Sequence, residues 1–362
     1  DDTYIIGETL DFTINFDENV TVNTNSGTPQ LSLTIGTSTR QAVYQSGSGT
    51  NALIFSHTVV LGAEDTDGIV IGTLDANGAT LQDSVTNTTD LTLPPLGDTT
   101  NVLVDGIAPS ITNVSVPNDG TYIIGGNLDF TVNFDENVTV DTSVGTPQLS
   151  LTIGTTTRQA TYQSGSGTTA LVFTYTVVSG DEDTNGIAIG ILDANEGTIK
   201  DAVGNNTDLT LASVGDTTGI LVDGIAPSIT TISVPIDDTY IIGETLEFTI
   251  NFNENITVNT SNGAPQLSLT IGTTTRQAEY QSGSSSSALV FSYTVQSGDE
   301  DTDGIVISIL DANGGTIKNS IGNNANLTLA SVGDTTGVLV DGIAPSITTI
   351  SVPIDDTYII GE

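Results

Sequence analysis

The sequence predicts an all-β chain of tandem Ig-like or cadherin-like antiparallel β-sandwich domains in an extended array. Three observations carry that expectation. Tyr4, Tyr122, Tyr240 and Tyr358 open four copies of TYIIG spaced 118 residues apart, and Arg40, Arg158 and Arg276 keep the same interval. Within each block, apolar residues alternate with Thr, Ser, Asn and Asp, the period of a strand with one buried face. Between these runs lie clusters of Gly, Asn, Asp, Ser and Pro, which turns favour. A period of about 20 to 50 residues would mean a solenoid. The 118-residue period is instead the size of a self-contained sandwich domain.

The elements follow in order. LDFTINF (10–16) places Leu10, Phe12, Ile14 and Phe16 on one face, and FDENV then reads as a turn. QLSLTIG (30–36) repeats the alternation with Leu31, Leu33 and Ile35, and ALIFSHTVV (52–60) aligns Leu53, Phe55, His57 and Val59. Shorter strands are expected at 68–74, 90–93 and 101–106, and ITNVSVP (111–117) opens the next block. The motif VDGIAPSI marks each junction, because Pro109 fixes φ and lacks a donor, as suits a strand entry. The expected domains are therefore 1–106 (without a leading strand), 107–224, 225–342 and the start of a fourth at 343–362. The linkers are short and hold no Gly/Ser tract, so neighbouring domains should nearly touch and form a semi-rigid rod.

Composition bounds the function. Five Lys and Arg stand against 44 Asp and Glu, a formal charge of -39, yet 36% of the residues are hydrophobic. Such a chain can bury a core while carrying its charge outside. It repels nucleic acid, whose phosphates need cationic partners, and it attracts cations. The absence of Cys excludes disulfide frameworks and thiolate metal sites. No apolar run approaches the ~20 residues of a spanning helix, so no membrane insertion is expected in this segment. The sequence starts and stops in mid-pattern, as an excerpt of a longer array would.

Acidic residues recur at four places in the blocks: Glu18, Glu136 and Glu254 in FDENV; Asp65, Asp67, Asp183, Asp301 and Asp303 before the GI strand; Asp105, Asp223 and Asp341 in the linker; and Asp119 and Asp237 (with Asp355) where the next domain opens. If these loops meet at one pole, their oxygens would suit Ca²⁺, which takes six to eight of them at about 2.3–2.6 Å. Cadherins hold interdomain calcium in a similar arrangement, although not with a similar sequence. The competing reading is that acidic turns keep a β-rich surface soluble and discourage edge pairing.

No catalytic residues are expected. His57, the only histidine, aligns with Tyr175 and Tyr293, which places it in an aromatic, core-facing slot rather than a triad. The recurrent arginines are expected to pair with a carboxylate across the sheet or, less simply, to touch a ligand. Tyr44, Tyr162 and Tyr280 are the aromatic residues that could face outward.

The strings YIIGETLDFTINFDENV, PQLSLTIG, QAxYQSGSG and ALVFxYTV resemble the SWM-type repeats of giant bacterial cell-surface proteins. Such repeats occur in the swimming protein of marine cyanobacteria and in SprB-like gliding adhesins of Bacteroidota. The resemblance implies an extracellular filament at the cell surface that serves adhesion or surface motility. Its partners would be neighbouring repeats of the same chain and, through a distal region, an external surface or glycan. The alternative is a multivalent module in which every repeat binds a glycan or surface weakly.

Overall fold

The computed structural model describes residues 2–352, and every regular element among them is a strand. The chain gathers into two compact units: Asp1–Tyr122 with Gly126–Thr176 and Asp183–Val222, and Ile123–Gly125 with Val177–Glu182 and Asp223–Glu362, the latter in its described part. The all-β expectation holds.

The first repeat contains β1 (Asp2–Ile5), β2 (Thr9–Asn23), β3 (Gln30–Ile35), β4 (Ser38–Ser46), β5 (Thr50–Thr58), β6 (Glu64–Asp65), β7 (Val70–Asp75), β8 (Thr80–Gln82) and β9 (Val102–Asp105). Its larger sheet runs β7-β3-β4-β5-β2-β8 with antiparallel neighbours, and its smaller sheet runs β1-β9-β6 with β1 and β9 parallel. Alternation decides which face is buried. Leu31, Leu33, Ile35, Leu53 and Phe55 point into the core, and Tyr44 covers Phe55 edge-on with ring centroids 5.8 Å apart.

The FDENV turn is corrected. Residues 16–20 continue β2, which pairs with β5 through Asn15 and, after a register break, again at Val20, and then pairs with β8 from Thr21. A bulge absorbs the bend without ending the strand. DLTL (90–93) is likewise not a strand, since it lacks a ladder partner, although Leu91 and Leu93 pack on the core.

The leading strand explains the difference between the first repeat and the others. β10 (Ile111–Ser115) lies antiparallel along 127–141 with Ile111 opposite Phe134 and Val114 opposite Val132, and Ile229–Ser233 does the same along 245–259. Phe130, Val132 and Phe134 are consequently buried, as are Phe248, Ile250 and Phe252. Their equivalents Phe12, Ile14 and Phe16 have no such cover and are half-buried. Residues 343–352 form no strand. The remainder of the expected fourth domain, with Asp355 and Tyr358, lies outside the described residues.

Candidate functional site

Each compact unit contains a joint where one repeat meets the next, and an asparagine is at its centre. In the first unit, the loop after the strand Thr198–Lys200 is organised by Asp201. One carboxylate oxygen accepts the N–H groups of Val203 (3.0 Å), Gly204 (2.6 Å) and Asn205 (2.8 Å), and the other accepts Asn205 Nδ2–H at 2.8 Å. The loop holds the Asn205 amide against the preceding repeat. There Oδ1 accepts Ile6 N–H at 2.9 Å, while Nδ2 donates to the Asp105 carbonyl at 2.9 Å. Asn205 is 1% exposed. Gly204 has φ +118°, and a Cβ there would lie 3.4 Å from Ile5 Cδ1, so a larger side chain would crowd the joint.

The second unit repeats this geometry. Asn323 Oδ1 accepts Ile124 N–H at 3.0 Å and Nδ2 donates to the Asp223 carbonyl at 2.9 Å. Asn319 replaces the organising aspartate, its Oδ1 accepting from Gly322 and Asn323 N–H. In the first repeat, Asp83 and Asn87 form similar loop bonds, and Asn87 is exposed.

The thirteen carboxylates expected from sequence disperse among distinct places. Asp65, Asp183 and Asp301 are buried within their own turns. Asp65 accepts Gly36 N–H on one oxygen and Asp67 and Gly68 N–H on the other, and Asp301 repeats the pattern with Gly272, Asp303 and Gly304. Asp183 accepts from Gly154 and Asn185 N–H. Asp67 and Asp303 point to solvent. Asp119 lies against Gly219 and Asp237 against Gly337. In the third repeat Asp238 opens a parallel strand pair that Asp341 closes opposite Ile241, so Asp237 and Asp341 stand at opposite ends of a pair about 10 Å long. Asp105, Asp223 and Asp341 each cap a linker N–H, of Ile107, Ile225 and Ile343.

Only Asp105 and Glu136 of the expected set meet at the first joint, together with Asp201, which was not expected. Burial first, then the charges of Asp201, Asp105 and Asp135, push the Glu136 carboxyl above its usual range. Asp135 goes the other way. Against the upward pull of burial, the Ser110 hydroxyl (2.6 Å) and N–H (2.8 Å) hold it below the ordinary value. Glu254 is half-buried at the second joint, where Asn253 and Asn319 stand in for Asp135 and Asp201, and Glu18 is exposed. Among the described residues no group of three or more His, Cys, Asp or Glu side chains is placed to hold a metal ion.

A second polar constellation lies under the sheet. Arg276 pairs with Asp299 at 2.7 Å, and Tyr293 O–H donates to the other Asp299 oxygen at 2.6 Å. The expected cross-sheet partner of this arginine is thus found. Burial and Asp299 push the Tyr293 phenol up to about 12, while Tyr293, Gln296 N–H and Arg276 hold Asp299 low against burial. In the first repeat His57 takes the tyrosine slot, as expected, and Ala63 takes the aspartate position. His57 Nδ1 donates to the Gln41 carbonyl at 3.0 Å, while Arg40 Nε and His57 Nε2 are buried without a hydrogen bond. The tyrosines that could have faced outward do not form a platform: Tyr44, Tyr162 and Tyr280 pack edge-on to phenylalanines, and their hydroxyls accept from Ser48, Ser166 and Ser284 N–H.

The features define a class: an antiparallel, Ig-like β-sandwich repeated in tandem and joined by short, hydrogen-bonded linkers. No family model and no curated protein matches the chain. Among solved structures it is similar to a marsupial T cell receptor (12% identity, 87% of this chain and 93% of that one, TM-score 0.28). It is also similar to a DUF4785 family protein from Legionella pneumophila (10% identity, 84% and 82%, TM-score 0.20) and to the plexin A4 extracellular region (9% identity, 90% and 33%, TM-score 0.18). No helix is long and apolar enough to cross a membrane among the described residues.

Proposed function

We propose that the chain is a segment of the stalk of a large bacterial cell-surface adhesin, serving adhesion or surface motility outside the cell. Its role is mechanical and not catalytic. One observation carries this reading: Asn205 and Asn323 make the same pair of main-chain bonds at successive joints, 118 residues apart. A spacer needs uniform, stiff joints more than diverse surfaces, and the SWM-type resemblance agrees with that use. Calcium belongs to the proposal as a counter-ion for the carboxylates of the first joint, where Glu136 faces Asp105 and Asp201.

Stretching single chains by atomic force microscopy tests the mechanical reading. The expected trace is a steep rise with no give at the joints before the repeats unfold, and early extension at low force would refute it. Exchanging CaCl₂ for EGTA should lower the melting point of the joint carrying Asp201 more than that of the joint carrying Asn319, and equal curves would remove calcium from the account. Binding of the chain to a glycan array would instead favour a multivalent binding module.

A further inference from the structure

We propose that the first repeat binds a small monocarboxylate anion, formate in size, between Arg40, His57 and Ala63, in the place where the other repeats carry the carboxylate of an aspartate. The third repeat shows what that place accommodates. The side chain of Asp299 is fully buried, and one of its oxygens accepts Arg276 Nε–H at 2.8 Å and a second guanidinium N–H at 2.7 Å. The other oxygen accepts the Tyr293 hydroxyl at 2.6 Å and Gln296 N–H at 2.8 Å. In the second repeat Asp181 accepts Val178 N–H at 2.9 Å and is 2% exposed. Two repeats thus tolerate a buried carboxylate here in a chain of net charge -39.

The first repeat keeps the frame and the donors but not the acceptor. Arg40 stands opposite Leu33 as Arg276 stands opposite Leu269, and His57 stands opposite Leu10 as Tyr293 stands opposite Leu246. The turn is also the same. Ala63 N–H donates to the Val60 carbonyl at 3.1 Å and its carbonyl accepts Gly106 N–H at 2.6 Å, where Asp299 has Gln296 at 3.2 Å and Gly342 at 2.6 Å. With the main chain held in common, alanine in place of aspartate removes a carbon and two oxygens and nothing else. Arg40 Nε and His57 Nε2 are buried there without a hydrogen bond. A buried guanidinium N–H that finds no acceptor is costly, so the place favours any ion that supplies one.

Formate is the removed group as a free ion. It carries one negative charge and two acceptor oxygens, one for the guanidinium and one for the imidazole, and both bonds are charge-assisted. An untethered ion can also shift toward the imidazole, which ends short of the point a tyrosine hydroxyl reaches. Access is through a surface cleft lined by Ser38, Gly62 and Ala63. Ala63 itself is 3% exposed, so the place takes a planar ion of this size and not a tetrahedral sulfate.

The anion binds together with a proton. The His57 ring donates to the Gln41 carbonyl from Nδ1, so Nε2 donates as well only when the ring is an imidazolium. The surrounding elements bring Arg40 from β4, Glu8 and Asp11 from the start of β2, and Glu64 and Asp65 from β6. Glu8 is bonded to Ile5 N–H, Asp11 to the Ser56 hydroxyl and Asp65 to main-chain N–H groups, and Glu64 is exposed. The charge that shares the slot with the ring is therefore that of Arg40, and the anion offsets both cations.

The test uses the whole chain, in which His57 is the only histidine, so its ring signals stand alone in an NMR spectrum. Sodium formate should move those signals along a saturable curve, and sodium chloride at the same ionic strength should not. The dissociation constant should be about 1 mM or weaker, the ceiling for a ligand of three heavy atoms. Affinity should fall as the pH is raised from about 5 to about 8, because the ring must be charged to donate twice. Ala63→Asp supplies the carboxylate from the chain itself, as two repeats already do within the same fold, and should abolish the response. Arg40→Gln should weaken binding by roughly 10-fold or more. The absence of saturable movement, as a water molecule bridging the two nitrogens would give, would overturn the proposal. So would an equal response to chloride, an undiminished response in Ala63→Asp, or an affinity constant across that pH range.

Discussion

Replacing Asn205 by alanine should uncouple the first joint, and the chain supplies its own control. The substitution removes the acceptor of Ile6 N–H, the donor to the Asp105 carbonyl and the bond to Asp201. Asn87→Ala removes the same loop bond, to Asp83, where the asparagine is exposed. The difference between the two variants isolates the two bonds across the joint. Two such bonds are worth about 1 kcal/mol each, and leaving a partly buried N–H and C=O unpaired costs about 1–3 kcal/mol more where water cannot reach them. The expected difference is therefore about 2–5 kcal/mol in the coupling between neighbouring repeats.

Urea unfolding of the whole chain, fitted with one intrinsic term per repeat and one coupling term per joint, measures it. Hydrogen exchange gives a local reading, because the Ile6 amide should lose its protection in Asn205→Ala and keep it in Asn87→Ala. Asn323→Ala should reproduce the effect at the second joint through Ile124. Asn205→Asp should be no better than alanine, since a carboxylate cannot donate to the Asp105 carbonyl and would face Asp201. A difference below about 1 kcal/mol between Asn205→Ala and Asn87→Ala would refute the clasp, because one net hydrogen bond alone is worth that much.

Three further outcomes follow, the first two from residues in which the repeats differ. Combining His57→Tyr with Ala63→Asp should rebuild the arginine–aspartate–tyrosine set around Arg40 and raise the first repeat's unfolding free energy by about 1–3 kcal/mol, read by calorimetry, because the buried Nε would gain a partner. Thr86→Gly should stabilise the same repeat by about 1 kcal/mol in urea, since a β-branched residue there holds φ +74° where Gly204 and Gly322 stand in the others. Glu136→Gln should stabilise the first joint at neutral pH. The raised carboxyl of Glu136 favours the protonated folded form, a contribution present below the ordinary carboxylate range and lost as pH rises through the raised value. The advantage of glutamine should therefore fade on acidification, and a melting difference constant from pH 4 to pH 8 would count against the charge crowding.

The sandwich was legible because burial leaves its period in the chain: Leu31, Leu33 and Ile35 could only be a strand with one dry face. The slot of His57 was readable from its aromatic equivalents, and the arginine pair from the shortage of cations. FDENV misled because Asp, Glu and Asn are turn residues by composition, while a bulge lets them ride on the outside of a continuing strand. The carboxylates before the GI strand are ambiguous in sequence for a related reason. An aspartate that caps its own turn and one that binds a cation share the same short spacing, and only the direction of the side chain separates them. Asn205 left almost no signal, because an uncharged amide in a Gly- and Asn-rich loop looks like solvent-facing filler. Its recurrence as Asn87, Asn205 and Asn323 was the trace to follow.

That the clasp is an amide follows from the charge of the chain. A joint between two strongly acidic repeats must bind main chain to main chain without adding repulsion, and it must satisfy one N–H and one C=O together. A carboxylate accepts but cannot donate, and an ammonium donates but cannot accept. The asparagine side chain does both at no net charge, so its bonds are largely indifferent to salt, whereas the repulsion among Asp105, Glu136 and Asp201 is screened by it. Added salt should for this reason tighten the first joint and leave the second, where Asn253 and Asn319 have removed two of the charges, nearly unchanged. The neutral contact and the charges around it therefore make separate contributions to the joint, which their response to salt would tell apart.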